Sequence, residues 1–113
     1  MLLSTVIRMS ARSIVTLAGS VPPWTFLTNH AHVLICIADE PDVRLSELAR
    51  RVGIGERAVH RIVHELVDTG YLRVRKEGRR NVYEIDLDRP LRHPLESHHQ
   101  IRAVVSPLLS AQA

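Results

Sequence analysis

The turn Gly53-Ile54-Gly55 most restricts the folds open to this chain, because it joins two amphipathic patterns through only three residues. Before it, Ser46 is placed to cap a brief helix through "ELARRV", with Leu48, Ala49 and Val52 pointing inward. After it, Val59, Ile62, Val63, Leu66 and Val67 recur at three- and four-residue spacing from Glu56 to about Thr69, and Gly70 is placed to end that helix. Ile54, between the two glycines, can drop into the core that the helices share.

The second helix has a polar stripe as regular as its apolar one. Arg57, His60, Arg61 and His64 follow i, i+3, i+4, i+7, so they line the face opposite the core. Burying four such donors would be costly, so the stripe must meet water or a polar partner. His60 and His64 have a spacing that can chelate a metal. However, "HRIVH" carries arginine where the zinc-protease motif carries glutamate, and local sequence fixes no third ligand. The reading of these histidines is therefore as exposed donors to phosphates or bases, with no metal and no cofactor assigned.

Beyond Gly70, "YLRVRK" alternates apolar and basic side chains as an edge strand does, with Leu72 and Val74 on one face and Arg73 and Arg75 on the other. "EGRR" turns the chain and "NVYEI" returns it. The stretch holds Arg73, Arg75, Lys76, Arg79 and Arg80 against Glu77 alone, a candidate phosphate-binding surface. The whole chain carries 15 Lys+Arg against 12 Asp+Glu, a formal charge of +3. All but one of these cations are arginine, the residue best suited to phosphate and base-edge recognition.

Upstream, Thr28 or Asn29 can cap a helix to about Ala38 with Val33, Leu34, Ile37 and Ala38 on one face, followed by "VRL" as a short extended piece. The expected order is helix, short strand, helix, tight turn, helix and a hairpin with a basic tip. This is a mainly α winged helix-turn-helix with a small β-hairpin wing, spanning residues 22–88. Residues 1–21 form a separate segment, set off by Pro22-Pro23 and free of acids. Leu3, Ile7, Ser10, Ile14, Leu17 and Val21 would line one face if it were helical. An ordered helix pairing with another chain, a disordered leader and a mistaken upstream start all remain open there. Residues 89–113 read as a connector and a dimerisation helix. Pro94 would sit in a first turn, and Ile101, Val104, Val105, Leu108 and Leu109 form a stripe for a partner chain to cover. Packing back onto the chain's own domain is the alternative, and Pro107 is expected to kink or end that helix near Ser106.

At this point "LSELARRVGIGERAVHRIVHELVDTGYLRVRKEGRRNVYEI" resembles the helix-turn-helix and wing of MarR- and ArsR-type transcriptional regulators. The resemblance covers roughly Trp24 to Asp86, and it rests on the ordered set of elements. It implies a homodimer on a pseudo-palindromic operator, with the recognition helix in the major groove and the wing near the minor groove. By position it places Glu56, Arg57, His60, Arg61 and His64 at the groove and Arg79 and Arg80 at the wing tip. The chain departs from the pattern in three ways. The helix "SELARRV" lacks the Cys-x-Cys pair of ArsR-type metal sensors, the wing reads "EGRRN" where MarR-type wings commonly carry Asp-x-Arg, and little length is left for an effector pocket.

Other classes fit poorly. There is no nucleophile elbow, phosphate loop or paired carboxylate site, so no enzyme is expected. No apolar run reaches a membrane span. Cys36 stands alone amid "VLICIA", which suits a small buried hydrophobe in a reducing cytosol. The rival reading is a winged helix used for protein contact or RNA binding. Four aromatics, Trp24, Phe26, Tyr71 and Tyr83, are few for single-strand binding by base stacking.

Overall fold

The computed structural model describes residues 21–109 of the chain, so the expected face from Leu3 to Leu17 lies outside the described residues. The elements run α1 (Asn29–Asp39), α2 (Leu45–Val52), α3 (Glu56–Asp68), β1 (Leu72–Glu77), β2 (Arg80–Ile85) and α4 (Arg102–Leu109). Helices α1, α2 and α3 pack on one another around Val33, Leu34, Ile37, Leu48, Val59 and Ile62, all at most 2% exposed. This is the winged helix-turn-helix expected from the alternation of periods in the sequence.

The turn between α2 and α3 closes tightly. The amides of Gly53 and Ile54 both donate to the carbonyl of Ala49, at 2.8 and 3.1 Å. Helix α3 ends in a Schellman arrangement: the Gly70 amide donates to Val67 O (3.1 Å) and the Tyr71 amide to Leu66 O (2.9 Å), while Gly70 takes φ +86°. Glycine fits this left-handed position without the Cβ penalty of other residues. Tyr71 then enters the core, and its hydroxyl donates to the carbonyl of Pro90.

The strands pair antiparallel from Leu72↔Ile85 to Glu77↔Arg80, leaving Gly78 and Arg79 as a two-residue turn. Gly78 has φ +63° and Arg79 does not go positive, the pattern of a II′ hairpin turn. The fully buried side chains of this wing, Leu72 and Tyr83, lie in the half nearer its base. Val74, on the same face as Leu72, is 44% exposed, although Tyr83 opposite it is buried.

Several local expectations change. "VRL" forms no strand: Val43 is buried in the loop before α2, and Pro41 O accepts the Tyr83 amide at 2.9 Å instead. Helix α2 starts at Leu45 with Arg44 as its N-cap, so Ser46 lies inside the first turn and makes no cap. Thr28 does occupy the N-cap of α1, but its hydroxyl makes no capping bond. Val67 is 36% exposed, because the inner face of α3 is filled by Val59, Ile62 and Leu66 and Val67 lies at its margin.

The C-terminal part differs most from expectation. Residues around Pro94 form turns rather than a helix. The excursion is closed at its base by Ile101 N–H to Arg89 O (2.8 Å), Leu91 N–H to His99 O (2.9 Å) and Arg102 N–H to Leu87 O (3.0 Å). Helix α4 continues through Pro107, since the missing N–H removes a single rung. Ile101 and Val105, expected to wait for a partner chain, are 6% and 0% exposed within the chain's own core. They are covered because α4 folds back against α1. Val104 and Leu109 pack partly on the same core, and Leu108 alone of the stripe is well exposed, at 41%.

Candidate nucleic-acid interface

Helix α3 presents its two faces as the spacing requires. Glu56, Arg57, His60, Arg61 and His64 are all exposed on the side opposite Val59, Ile62 and Leu66. Among the described residues Arg57 and His60 carry no ion pair or side-chain hydrogen bond, so their donors face solvent. Arg61 lies 3.4 Å from Glu65 and His64 lies 3.5 Å from Asp68, each one helical turn on. Such exposed i, i+4 pairs are screened by water and add little to stability. A phosphate or a guanine edge can therefore displace them at small cost.

Glu65 was not among the residues singled out from the sequence, although the Arg61-to-Glu65 spacing was there to be read. Its carboxylate is 2.7 Å from His30 Nε2 and so ties α3 to the first turn of α1. The His30 hydrogen bond, followed by the charge of Arg61, holds the Glu65 carboxyl below the usual glutamate range. His30 and Glu65 also help line a cavity of about 410 Å³, together with Leu34, Leu66, Tyr71, Ile101 and Arg92. The sequence had suggested little room for a pocket. The room arises because the connector loops out and α4 folds back beside α1.

The wing's five cations are not equivalent. Arg75 is bound to Glu77 (2.8 Å) and to Glu84 (3.0 Å), and these carboxylates push its guanidinium pKa up. Arg73 lies 3.7 Å from the same Glu84, which sits directly opposite it in the register. Lys76 and Arg79 have no such partner among the described residues, and both are exposed. Arg80 points away from the tip: its guanidinium donates to the Asp42 carbonyl at 2.6 Å and lies 3.5 Å from the Asp42 carboxylate. On α3 and the wing, the cations without a partner among the described residues are thus Arg57, Lys76 and Arg79.

The remaining arginines mostly brace the fold. Arg50 pairs with Glu47, and Arg51 reaches Asp39 at 3.1 Å and Glu40 at 3.7 Å, tying α2 to the end of α1. Arg89 donates to Thr69 O at 2.8 Å and stands 5.9 Å from the centre of the Tyr71 ring, while Arg102 pairs with Asp88. Burial pushes the Cys36 thiol pKa up, in keeping with its reading as a core residue. No group of three or more His, Cys, Asp or Glu side chains is arranged to hold a metal among the described residues. None of the described helices is long and apolar enough to cross a membrane.

With this geometry in view, residues 27–76 match the model of the IclR helix-turn-helix domain, a span from the entry into α1 to the outer part of β1. The fold and this match define the class as a winged helix-turn-helix, with its helix-turn-helix part similar to that of the IclR DNA-binding domain. The model that matches is the IclR one, over less than half of the chain, so the MarR and ArsR resemblance is supported as far as the winged helix-turn-helix class and no further. The chain is similar in fold to a crystal structure described as a predicted DNA-binding transcriptional regulator from E. coli. The TM-score is 0.51 at 16% identity, covering 94% of this chain and 95% of that one. A crystal structure of the zinc-dependent MarR family regulator AdcR in its Zn(II)-bound state aligns with a TM-score of 0.45 at 24% identity, over 93% of this chain and 79% of that one. No curated protein matches the chain.

Proposed function

We propose that this protein is a sequence-specific regulator of transcription that binds duplex DNA as a homodimer in the reducing cytosol. The observation that carries the reading is the outer face of α3, where Arg57, His60, Arg61 and His64 stand exposed on a helix whose other face is fixed in the core. Arg57 and Arg61 read base edges in the major groove, where a good bidentate arginine contact is worth about 1–3 kcal/mol of discrimination. Glu56, His60 and His64 supply further groove or phosphate contacts. Lys76 and Arg79 meet the backbone or minor groove from the wing, with Arg73 and Arg75 adding charge behind them.

Two copies place their α3 helices on half-sites about one helical turn apart. Because Ile101 and Val105 are spent on the chain's own core, the second copy is met by what α4 leaves outside, Leu108 with parts of Val104 and Leu109. The test is selection from a random duplex pool with wild type and with Arg57→Ala/Arg61→Ala. Wild type should enrich a two-fold symmetric site and the variant should lose that preference while keeping salt-dependent binding. An unenriched pool with wild type would overturn the reading and favour protein contact or RNA binding.

A further inference from the structure

The sequence pairs Arg79 and Arg80 as one basic wing tip, yet the structure separates them. Arg79 is the second residue of the two-residue turn and is exposed. Arg80 begins β2, is only partly exposed, and reaches back to the loop between α1 and α2. There its guanidinium donates to the Asp42 carbonyl and sits beside the Asp42 carboxylate. Three residues further along the same strand, the Tyr83 amide donates to Pro41 O at 2.9 Å. The loop is thus fastened to β2 at two points, and it in turn is set by Val43, 3% exposed, and by the Val43 amide on Glu40 O (3.0 Å).

We infer that Arg80 and Asp42 form a clamp that sets the angle of the wing against the helix-turn-helix, and that Arg80 acts on DNA affinity by position and not by touching phosphate. Two physical points support this. The fully buried side chains of the hairpin, Leu72 and Tyr83, lie in the half nearer its base, so the half of the wing beyond Tyr83 needs another tether to hold Lys76 and Arg79 in one place. In addition, an acidic residue beside a supposed phosphate contact would oppose DNA, whereas beside a structural arginine it has a use. Arginine suits the task because its planar fork can reach a carbonyl and a carboxylate together.

The inference rests on the DNA-binding reading, but its sign differs from that of a direct contact. If Arg80 touched phosphate, Arg80→Ala would lower the slope of log affinity against log salt by about one unit, and Asp42→Ala would tighten binding by removing a negative charge. The clamp predicts the reverse on both counts. Each variant weakens duplex binding about threefold or more with the slope unchanged, and the double variant is no worse than Arg80→Ala alone, because residues of one pair do not add. Lys76→Ala, as a direct contact, lowers the slope.

A second measurement needs no DNA: hydrogen exchange at the Tyr83 amide of the free protein speeds up in both clamp variants, while Leu34 and Ile62 amides keep their wild-type protection if the fold is intact. Tighter binding by Asp42→Ala, a reduced slope for Arg80→Ala, or unchanged exchange at Tyr83 would each overturn the clamp. If wild type binds no duplex at all, the regulator reading fails, and the exchange result still decides whether the clamp exists.

Discussion

Replacing Val105 by alanine tests whether α4 belongs to its own chain's core or to a partner. Val105 is fully buried, and the substitution removes two carbons from that site. At about 0.8 kcal/mol per buried carbon the transfer part alone is about 1.6 kcal/mol. The cavity left behind adds to it, because the surroundings collapse only in part, so the expected loss is about 2 kcal/mol. For a domain of this size that lowers the melting temperature by about 10 °C. The assay is urea and thermal unfolding followed by circular dichroism, at several protein concentrations, with Leu108→Ala beside it. Val105→Ala should destabilise by the same amount at every concentration. Leu108, 41% exposed, should lose little stability as a single chain but should shift the concentration dependence if it meets a second copy. A Val105→Ala loss below about 0.5 kcal/mol, the range of ordinary surface substitutions, would refute the intrachain packing of α4.

Three further outcomes follow from the site. Gly78→Ala forces a Cβ onto a residue at φ +63° with open space around it, so the cost is backbone strain of about 1 kcal/mol, confined to the wing; unfolding should show a small loss and duplex affinity a larger one. The lowered Glu65 pKa contributes stability that is present above the ordinary glutamate value of about 4.3 and is lost as pH falls through the lower folded value. Unfolding across acidic pH should therefore fall less steeply in Glu65→Gln than in wild type, and equal slopes would contradict the His30 contact. Arg57→Ala/Arg61→Ala should melt like wild type, since both side chains are exposed, and an unstable variant would mean that these arginines brace the fold.

Periodicity was a reliable guide wherever a helix or strand has one covered face. The bounds of α1 and α3 and the outer stripe of α3 follow from the spacing of Leu34, Ile37, Val59, Ile62 and Leu66, and the hairpin from the alternation that begins after Gly70. It misled where burial depends on what lies overhead. Val74 alternates correctly but is 44% exposed, and the stripe from Ile101 to Leu109 looks equally apolar whether its cover is a second chain or α1. Charge was the least legible property. Arg73, Arg75, Arg79 and Arg80 read as one patch, yet Glu84 faces Arg73 across the strands and Asp42 reaches Arg80 from a loop 38 residues earlier. No local pattern announces such a partner. The cavity beside Glu65 was hidden for the same reason, since α1, α3, the connector and α4 each supply part of its wall.

The central claim is that α3 and the wing together receive duplex DNA, and the most direct measurement is titration of isotope-labelled protein with a short duplex, followed by amide chemical shifts. The account predicts that the largest shifts fall at Glu56 to His64 and at Lys76 to Arg79, fade with added salt, and leave Trp24, Phe26 and Leu95 unmoved. Shifts concentrated at Phe26, Leu95 and Leu108, or none at any salt concentration with the protein folded, would contradict it and make the apolar surface the one that binds.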